Sequence, residues 1–148
     1  MVKSIELQGS GESLALGREF IHLQLQNAGV SSAISDLVVL ACDEACANVV
    51  RHFYRDDPEK KYIITINVSP EKKKIIVVVE SYGRKIRIRK RRKINLEKHV
   101  REGRESGLGI YFMNSLMDEV TYHYIKKMNV VRLIKYISED EQQNSPVP

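Results

Sequence analysis

Residues 33–54 read AISDLVVLACDEACANVVRHFY, and this stretch decides the fold. Its apolar residues recur at helical spacing, which predicts one long helix with a buried face. Ser31 and Ser32 stand before it as capping residues, and Asp57 with Pro58 ends it. The neighbouring sequence must therefore provide the surface against which this face packs.

Strand patterns lie on both sides of this helix. Residues 75–79, IIVVV, are apolar without interruption, which predicts a central, buried strand. The predicted strands are 3–7, 62–68, 75–79, 120–125 and 130–136, and further helices are predicted at 12–27 and 110–117. This order lacks the regular β-α alternation of a doubly wound fold. An α/β fold with helices on one face of a sheet fits it better.

The net charge of the chain comes from one segment. The 148 residues include 24 basic and 19 acidic side chains, a formal charge of +5. Residues 84–93, RKIRIRKRRK, hold eight of the basic residues, which leaves 16 basic against 19 acidic residues elsewhere. The composition therefore describes a mildly acidic domain with one basic segment, and it does not indicate a whole surface that binds nucleic acid.

The sequence also bears on compartment and domain organisation. No apolar run approaches about 18 residues, and the first ten residues lack the apolar core of a secretory signal. Cys42 and Cys46 lie four apart in one helix pattern, which favours reduced packing residues over a disulfide. We expect a cytoplasmic protein without a membrane segment, with one domain at 1–137 and a disordered, acidic and polar tail at 138–148.

Glu44 and Asn48 form the first candidate site, on the polar side of the long helix. Because they are four residues apart, their side chains are neighbours. A carboxylate and a carboxamide placed in this way can position a water or hydroxyl group and hold Mg²⁺ through oxygen ligands. A solvated polar face is the alternative interpretation.

A glycine cluster forms the second candidate site. Gly103, Gly107 and Gly109 lie within seven residues, ahead of a predicted helix. Free backbone N–H groups at such a helix start suit a phosphate group. The Gly-Lys-Ser/Thr ending of a Walker A motif is absent, and no buried strand leads into the cluster as in a dinucleotide site. A flexible loop before a helix is the alternative.

Taken together and in this order, the two segments resemble a known family. Residues 43–52, DEACANVVRH, resemble the N box of the bacterial anti-sigma-factor serine/threonine kinases, which belong to the gyrase and histidine-kinase ATPase superfamily. Residues 103–120, GRESGLGIYFMNSLMDEV, resemble the second glycine box of that family and the helix that follows it. The resemblance extends over nearly the whole chain, from about residue 3 to residue 136.

This resemblance implies a histidine-kinase-like ATPase fold, a two-layer α/β sandwich with a mixed, mostly antiparallel sheet, and ATP and Mg²⁺ as cofactors. Glu44 would be the catalytic base that orients the attacking hydroxyl group. Asn48 would bind Mg²⁺ and, through it, the phosphates. Gly107, Leu108 and Gly109 would wrap the phosphates with backbone amides.

Two nucleotide boxes depart from the family pattern. The first glycine box normally reads Asp-x-Gly-x-Gly, and its aspartate accepts a hydrogen bond from the adenine amino group. Gly83 aligns with the first glycine, which puts Ser81 at the aspartate position and Lys85 at the second glycine. Asn129 stands near the usual threonine of the last strand. Ser81, Gly83 and Asn129 are thus predicted nucleotide contacts with altered chemistry.

The basic segment 84–93 occupies the position of the ATP lid between the two glycine boxes. It could be a solvated loop, a source of contacts to phosphate or to an acidic partner, or a nucleic-acid contact. No aromatic residue is interleaved in it, which disfavours stacking on bases. All three alternatives remain open on the sequence alone, and the nucleic-acid contact is the least favoured of them.

The resemblance implies an anti-sigma regulatory factor with ATP-dependent serine/threonine kinase activity. Its partners would be a sigma factor and an anti-anti-sigma antagonist of the STAS type. Family members often form homodimers through the sheet face, although nothing in this sequence requires it. The alternatives are a non-catalytic regulator that sequesters a sigma factor or antagonist with weak or no ATP binding, and a nucleic-acid-associated module.

Overall fold

One sheet of five strands organises the molecule, in the order β1-β2-β3-β5-β4. The structure is a computed structural model, and it describes residues 2–86 and 113–138. The elements are β1 Val2–Gln8, α1 Ser13–Asn27, α2 Ser32–Ala47, a π-helix Asn48–Phe53, β2 Lys61–Ser69, β3 Lys74–Tyr82, β4 Glu119–Ile125 and β5 Met128–Tyr136. Neighbouring strands are antiparallel throughout the described sheet. The predicted α/β sandwich, with helices on one face, is confirmed.

β3 lies in the middle of the sheet, as its uninterrupted apolar sequence predicts. Ile75, Val77 and Val79 point to the helical layer and are buried, because successive side chains of a strand alternate between faces. Ile76 and Val78 lie on the opposite face and are only half-buried. The strand is thus central, but only one of its faces is covered by described elements.

The two helices cover one face of the sheet. α1 packs against β1 and β2, and α2 packs against β3 and β5. Gly29 ends α1 with φ of 76°, a conformation that glycine adopts at little steric cost. Ser31 caps α2 as predicted, because its hydroxyl oxygen accepts a hydrogen bond from the Ile34 N–H at 3.4 Å. Cys42 and Cys46 are buried in α2 as free thiols.

The long helix predicted at 33–54 changes its winding after Ala47. From Asn48 to Phe53 it is a π-helix, and the Tyr54 N–H donates to the Val49 carbonyl at 2.7 Å, five residues back. The wider turn accompanies two adjacent buried valines, Val49 and Val50. Helical spacing in the sequence, which predicts one continuous helix over 33–54, does not reveal this change.

Tyr54 ties the end of the π-helix to the sheet. Its hydroxyl donates to the Lys61 carbonyl at 2.6 Å and accepts from the Tyr82 N–H at 2.9 Å. These two bonds join the start of β2 to the end of β3. The polar residues that follow the π-helix and those that follow β3 are therefore held at one end of the sheet.

Several predicted segments lie outside the described residues. They include the predicted tail apart from Ser138, most of the basic segment 84–93 and the whole glycine cluster. Of the helix predicted at 110–117, the described part is helical at 113–116, with Met113 and Met117 buried. No helix within 2–86 and 113–138 is long and apolar enough to cross a membrane.

Candidate functional site

A cavity of about 750 Å³ lies between the end of α2, its π-helix and the inner face of the sheet. The helical side contributes Ala45, Asn48, Val49, His52 and Phe53, and the opposite side contributes Arg84, Lys85, Ile86, Met113, Tyr122 and Val131. Most of these side chains are apolar. This size and composition are typical of a small-molecule site, in which a few polar groups orient the ligand.

Asn48 lines the cavity, and Glu44 does not. Glu44 lies one helical turn before Asn48 and is half-buried. The adjacent carboxylate, Asp43, is held in an ion pair with Arg18 of α1 at 2.9 Å. The structure therefore brings the predicted metal ligand to the cavity wall, whereas the predicted base, one turn before Asn48, is not part of the lining.

Ser81 lies near the end of β3 and is only 1% exposed. It faces Tyr62 on β2 and Asn129 on β5, all three on the helical side of the sheet. The Ser81 hydroxyl has no hydrogen-bond partner among the described residues. Because a buried unsatisfied hydroxyl costs about 1–3 kcal/mol, this group has an unused capacity to bind a polar atom.

Tyr122 is a site residue that the sequence analysis missed. Its hydroxyl is buried, has no hydrogen-bond partner within the described part of the chain, and burial raises its pKa to about 12. The ring lines the large cavity and a neighbouring one of about 200 Å³. The alternation along β4, which turns Val120 and Tyr122 to the helical face, is the signal that could have identified it.

The backbone after β3 runs close to the cavity at Gly83. Gly83 has φ of 139°, and a Cβ atom there would lie 2.9 Å from Phe53 Cζ. A residue with a side chain is strained in this conformation and would also push against the ring. The structure thus explains glycine at this position by backbone conformation and by close approach to a ring that lines the cavity.

Asn129 lies under the chain that follows Gly83. Its carboxamide bonds to the backbone of Arg84 and of Ile86, and the residue lines the smaller cavity instead of the larger one. Predicted nucleotide contacts Ser81, Gly83 and Asn129 therefore cluster at one end of the sheet. Gly107, Leu108 and Gly109 lie outside the described residues.

The described residues do not form a preformed metal cage. No group of three or more His, Cys, Asp or Glu side chains among them could hold a metal ion. Mg²⁺ commonly binds through one or two protein oxygens together with substrate phosphates and water. The oxygen of Asn48 suits that kind of site, in which the ion binds together with a phosphate ligand.

Known proteins are similar to this chain in sequence or in fold. One relative, serine-protein kinase RsbW of Bacillus cereus, is 29% identical over 136 residues, 85% of this chain and 82% of the relative. Serine-protein kinase RsbW of Bacillus thuringiensis subsp. konkukian is 28% identical over 134 residues, with the same shares covered.

A crystal structure of the RsbU and RsbW domains of Rv1364c from Mycobacterium tuberculosis has a similar fold. The TM-score is 0.68 and the sequence identity 14%. The match covers 98% of this chain and 35% of that longer chain, so this chain corresponds to about a third of it. Residues 9–135 also match the family profile of the histidine kinase-like ATPase domain. The chain therefore belongs to the histidine kinase-like ATPase family.

Proposed function

We propose that this chain is a cytoplasmic anti-sigma regulatory protein that uses Mg-ATP to phosphorylate a serine of a STAS-type antagonist. Membership of the ATPase family and the similarity to proteins named serine-protein kinase RsbW support the proposal. The observation that carries it is the cavity of about 750 Å³ with Asn48 in its wall. Binding of a sigma factor and homodimer formation stay predictions.

The walls of the cavity suit a nucleotide. Val49, Phe53 and Val131 offer apolar surface for a flat base, and Arg84 with Lys85 offers positive charge for phosphates. Tyr122 completes this wall of the cavity. One site can thus bury a base and attract phosphates.

Asn48 is the residue we assign to Mg²⁺. Its oxygen can complete the coordination of an ion already bound to phosphate oxygens. Bound Mg²⁺ would neutralise charge that develops on the phosphates during transfer. Asn48 therefore contributes to binding as well as to the orientation of the nucleotide.

Glu44 is the residue we assign as general base. A carboxylate that accepts the proton of the serine hydroxyl favours attack of the serine oxygen on the terminal phosphorus of ATP. The P–O bond between that phosphorus and ADP breaks as the new bond forms. Glu44 lies one turn of α2 from Asn48, outside the lining of the cavity. It thus leaves the cavity free for the nucleotide.

Nucleotide binding is the first test. At Mg-ATP one hundred times above Kd, binding to the folded state adds about 2.7 kcal/mol to the unfolding free energy, a rise in Tm of about 5–10 °C for a chain of this size. We expect this shift in differential scanning fluorimetry, and we expect Asn48→Ala to remove its Mg²⁺-dependent part. The proposal would be contradicted if millimolar Mg-ATP gave no heat of binding in calorimetry and no shift in Tm.

Phosphate transfer is the second test, with a purified STAS-type protein as acceptor. Glu44→Gln keeps the size of the side chain and removes the base, so we expect transfer to fall by about 100-fold or more while ATP affinity is retained. Asp43→Asn is the matched control, because Asp43 is the adjacent carboxylate but pairs with Arg18. Equal loss in both variants, or none in Glu44→Gln, would rule out the assigned role of Glu44.

A non-catalytic partner-switching regulator is the second candidate. Ser81 favours it, because a neutral serine replaces the charged aspartate of the family, and charge-assisted hydrogen bonds are roughly twice as strong as neutral ones. This candidate predicts a stable complex with a sigma factor or antagonist that Mg-ATP does not alter. The Tm shift and the transfer assay together distinguish the two candidates.

A further inference from the structure

Residues 83–86, which we call the strap, are fastened to the turn between β4 and β5. The Gly83 N–H donates to the Lys127 carbonyl at 2.9 Å, and the Tyr124 hydroxyl donates to the Gly83 carbonyl at 2.7 Å. The strap therefore does not simply leave the end of β3. It is bound across the strand end at which β4 and β5 meet.

Asn129 makes the other attachment of the strap. Its side-chain nitrogen donates to the Arg84 carbonyl at 2.8 Å, and its side-chain oxygen accepts from the Ile86 N–H at 2.9 Å. Asn129 is 6% exposed, and both bonds are partly buried. A carboxamide can donate and accept at one position, whereas an aspartate cannot donate and an apolar residue can do neither.

The strap contributes charged residues to the wall of the cavity. Arg84 and Lys85, which lie between Gly83 and Ile86 in the strap, line the cavity of about 750 Å³. The described lining contains no aspartate or glutamate. The cavity is therefore positively charged at the strap, which favours an anionic ligand.

We propose that Asn129 is a positioning residue for anion binding: it fastens the strap so that Arg84 and Lys85 bind the phosphates of the nucleotide from the cavity wall. This inference rests on the proposed function, because it takes the anion to be the triphosphate of ATP. It gives Asn129 a role through the strap, in place of a direct contact with the nucleotide. The first two cations of the basic segment then contribute to ligand affinity.

The test compares three ligands by isothermal titration calorimetry: Mg-ATP, inorganic tripolyphosphate and adenosine. A charge-assisted hydrogen bond contributes about 1.5–3 kcal/mol. We therefore expect the double variant Arg84→Gln with Lys85→Gln to lower the affinity for ATP and for tripolyphosphate at least about tenfold. Adenosine affinity should not change, because adenosine carries no phosphate. Lys126→Gln with Lys127→Gln is the matched control, since it removes two nearby cations that do not line the cavity.

A double-mutant cycle assigns the role of Asn129. Asn129→Leu keeps the approximate volume and removes both hydrogen bonds, so ATP affinity should fall. In the Asn129→Leu background, Arg84→Gln with Lys85→Gln should lower ATP affinity by less than about threefold, because the two cations are no longer held in place. An undiminished tenfold effect would show that Asn129 only stabilises the fold and would overturn the inference.

Tyr124→Phe removes the other side-chain attachment of the strap. Because Tyr124 is partly exposed, this variant should weaken ATP binding, as Asn129→Leu does, without disturbing the core.

Two further outcomes separate the inference from the proposed function. If tripolyphosphate binds through Arg84 and Lys85 but ATP does not bind, the proposed function fails and the role of the strap stands. If strap charge removal weakens adenosine as much as ATP, the role of the strap is wrong.

Discussion

Ser13 and Ser81 show how differently one residue type can be used within this core. Ser13 is 4% exposed, its hydroxyl donates to the Ser10 carbonyl at 2.8 Å and, with its proton so used, accepts from the Tyr62 hydroxyl at 2.7 Å. Ser81 is 1% exposed and has no partner among the described residues. The two serines form a matched pair, because their burial is similar and their hydrogen bonding is not.

We expect alanine substitution to separate the two serines. Ser13→Ala removes satisfied hydrogen bonds and should lower the unfolding free energy by about 1–2 kcal/mol. Ser81→Ala removes an unsatisfied hydroxyl and should leave the unfolding free energy unchanged or raise it by up to about 1 kcal/mol. Urea denaturation without nucleotide measures both values. Equal losses at the two positions would mean that the Ser81 hydroxyl is satisfied in solution.

Sequence reasoning at this scale located positions better than environments. The spacing of Glu44 and Asn48 predicted that they neighbour each other, because helical geometry fixes residues four apart. The unpaired state of Ser81 could not be predicted, since it depends on strands brought together from distant parts of the chain. Asn129 was found by its position in a family pattern, but its bonds to the strap follow from the fold alone.

At the scale of elements, the turn between β4 and β5 is built from an unfavourable sequence. Ile125 pairs with Met128, so Lys126 and Lys127 form a two-residue loop, with φ of 52° and 62°. Positive φ at both positions is the geometry of a type I′ turn, which favours Asn-Gly. A lysine in this conformation has a steric penalty that glycine avoids.

Replacing this turn with its preferred sequence should stabilise the protein. We expect Lys126→Asn with Lys127→Gly to raise the unfolding free energy by about 1 kcal/mol or more, measured by urea denaturation. The strap bond from Gly83 is retained, because it uses the backbone carbonyl of residue 127. Lys72→Gly, in the β2–β3 turn beside Lys73 with φ of 53°, is the control and should give no gain. A similar gain from both variants would refute the explanation by turn geometry.

Periodicity predicted most elements of this fold, and the exception has a physical cause. Strands 62–68 and 75–79 were found within one to three residues at each end, because alternation and β-branched residues mark a half-buried strand. The π-helix was missed, because apolar residues at 49 and 50 look compatible with an α-helix until packing shows that both are buried. Local pattern does not reveal how a neighbouring sheet changes the winding of a helix.

At the scale of the whole molecule, the cavity depends on sequence-distant parts. Its walls come from α2 with the π-helix, from the strap and from the β4–β5 pair. β5 lies between β3 and β4, an order that the sequence alone does not specify. Only a family resemblance could therefore indicate, before the structure, that Asn48 and the segment after β3 belong to one site.

The alkaline stability of the whole fold follows from its buried tyrosines. Burial is the main cause that raises the pKa of Tyr54 and of Tyr62, and it raises the pKa of Tyr122 to about 12. An unfolded tyrosine ionises near pH 10. Below that pH both states are neutral at these residues, and above it only the unfolded state loses the protons. The folded state is therefore favoured below about pH 10 and loses this advantage as pH rises through the folded pKa.

We expect the unfolding free energy, measured by urea denaturation, to fall progressively above about pH 10. Between about pH 10 and 12, Tyr122→Phe should make the fall of the unfolding free energy with pH less steep. The change in slope should correspond to at most about one proton, because one ionising group is removed. The same variant should be at least as stable as the parent at pH 8, since the Tyr122 hydroxyl has no partner among the described residues. An unchanged slope in Tyr122→Phe would mean that this hydroxyl already meets water in the folded protein, and its assignment as a buried, unpaired group would then be wrong.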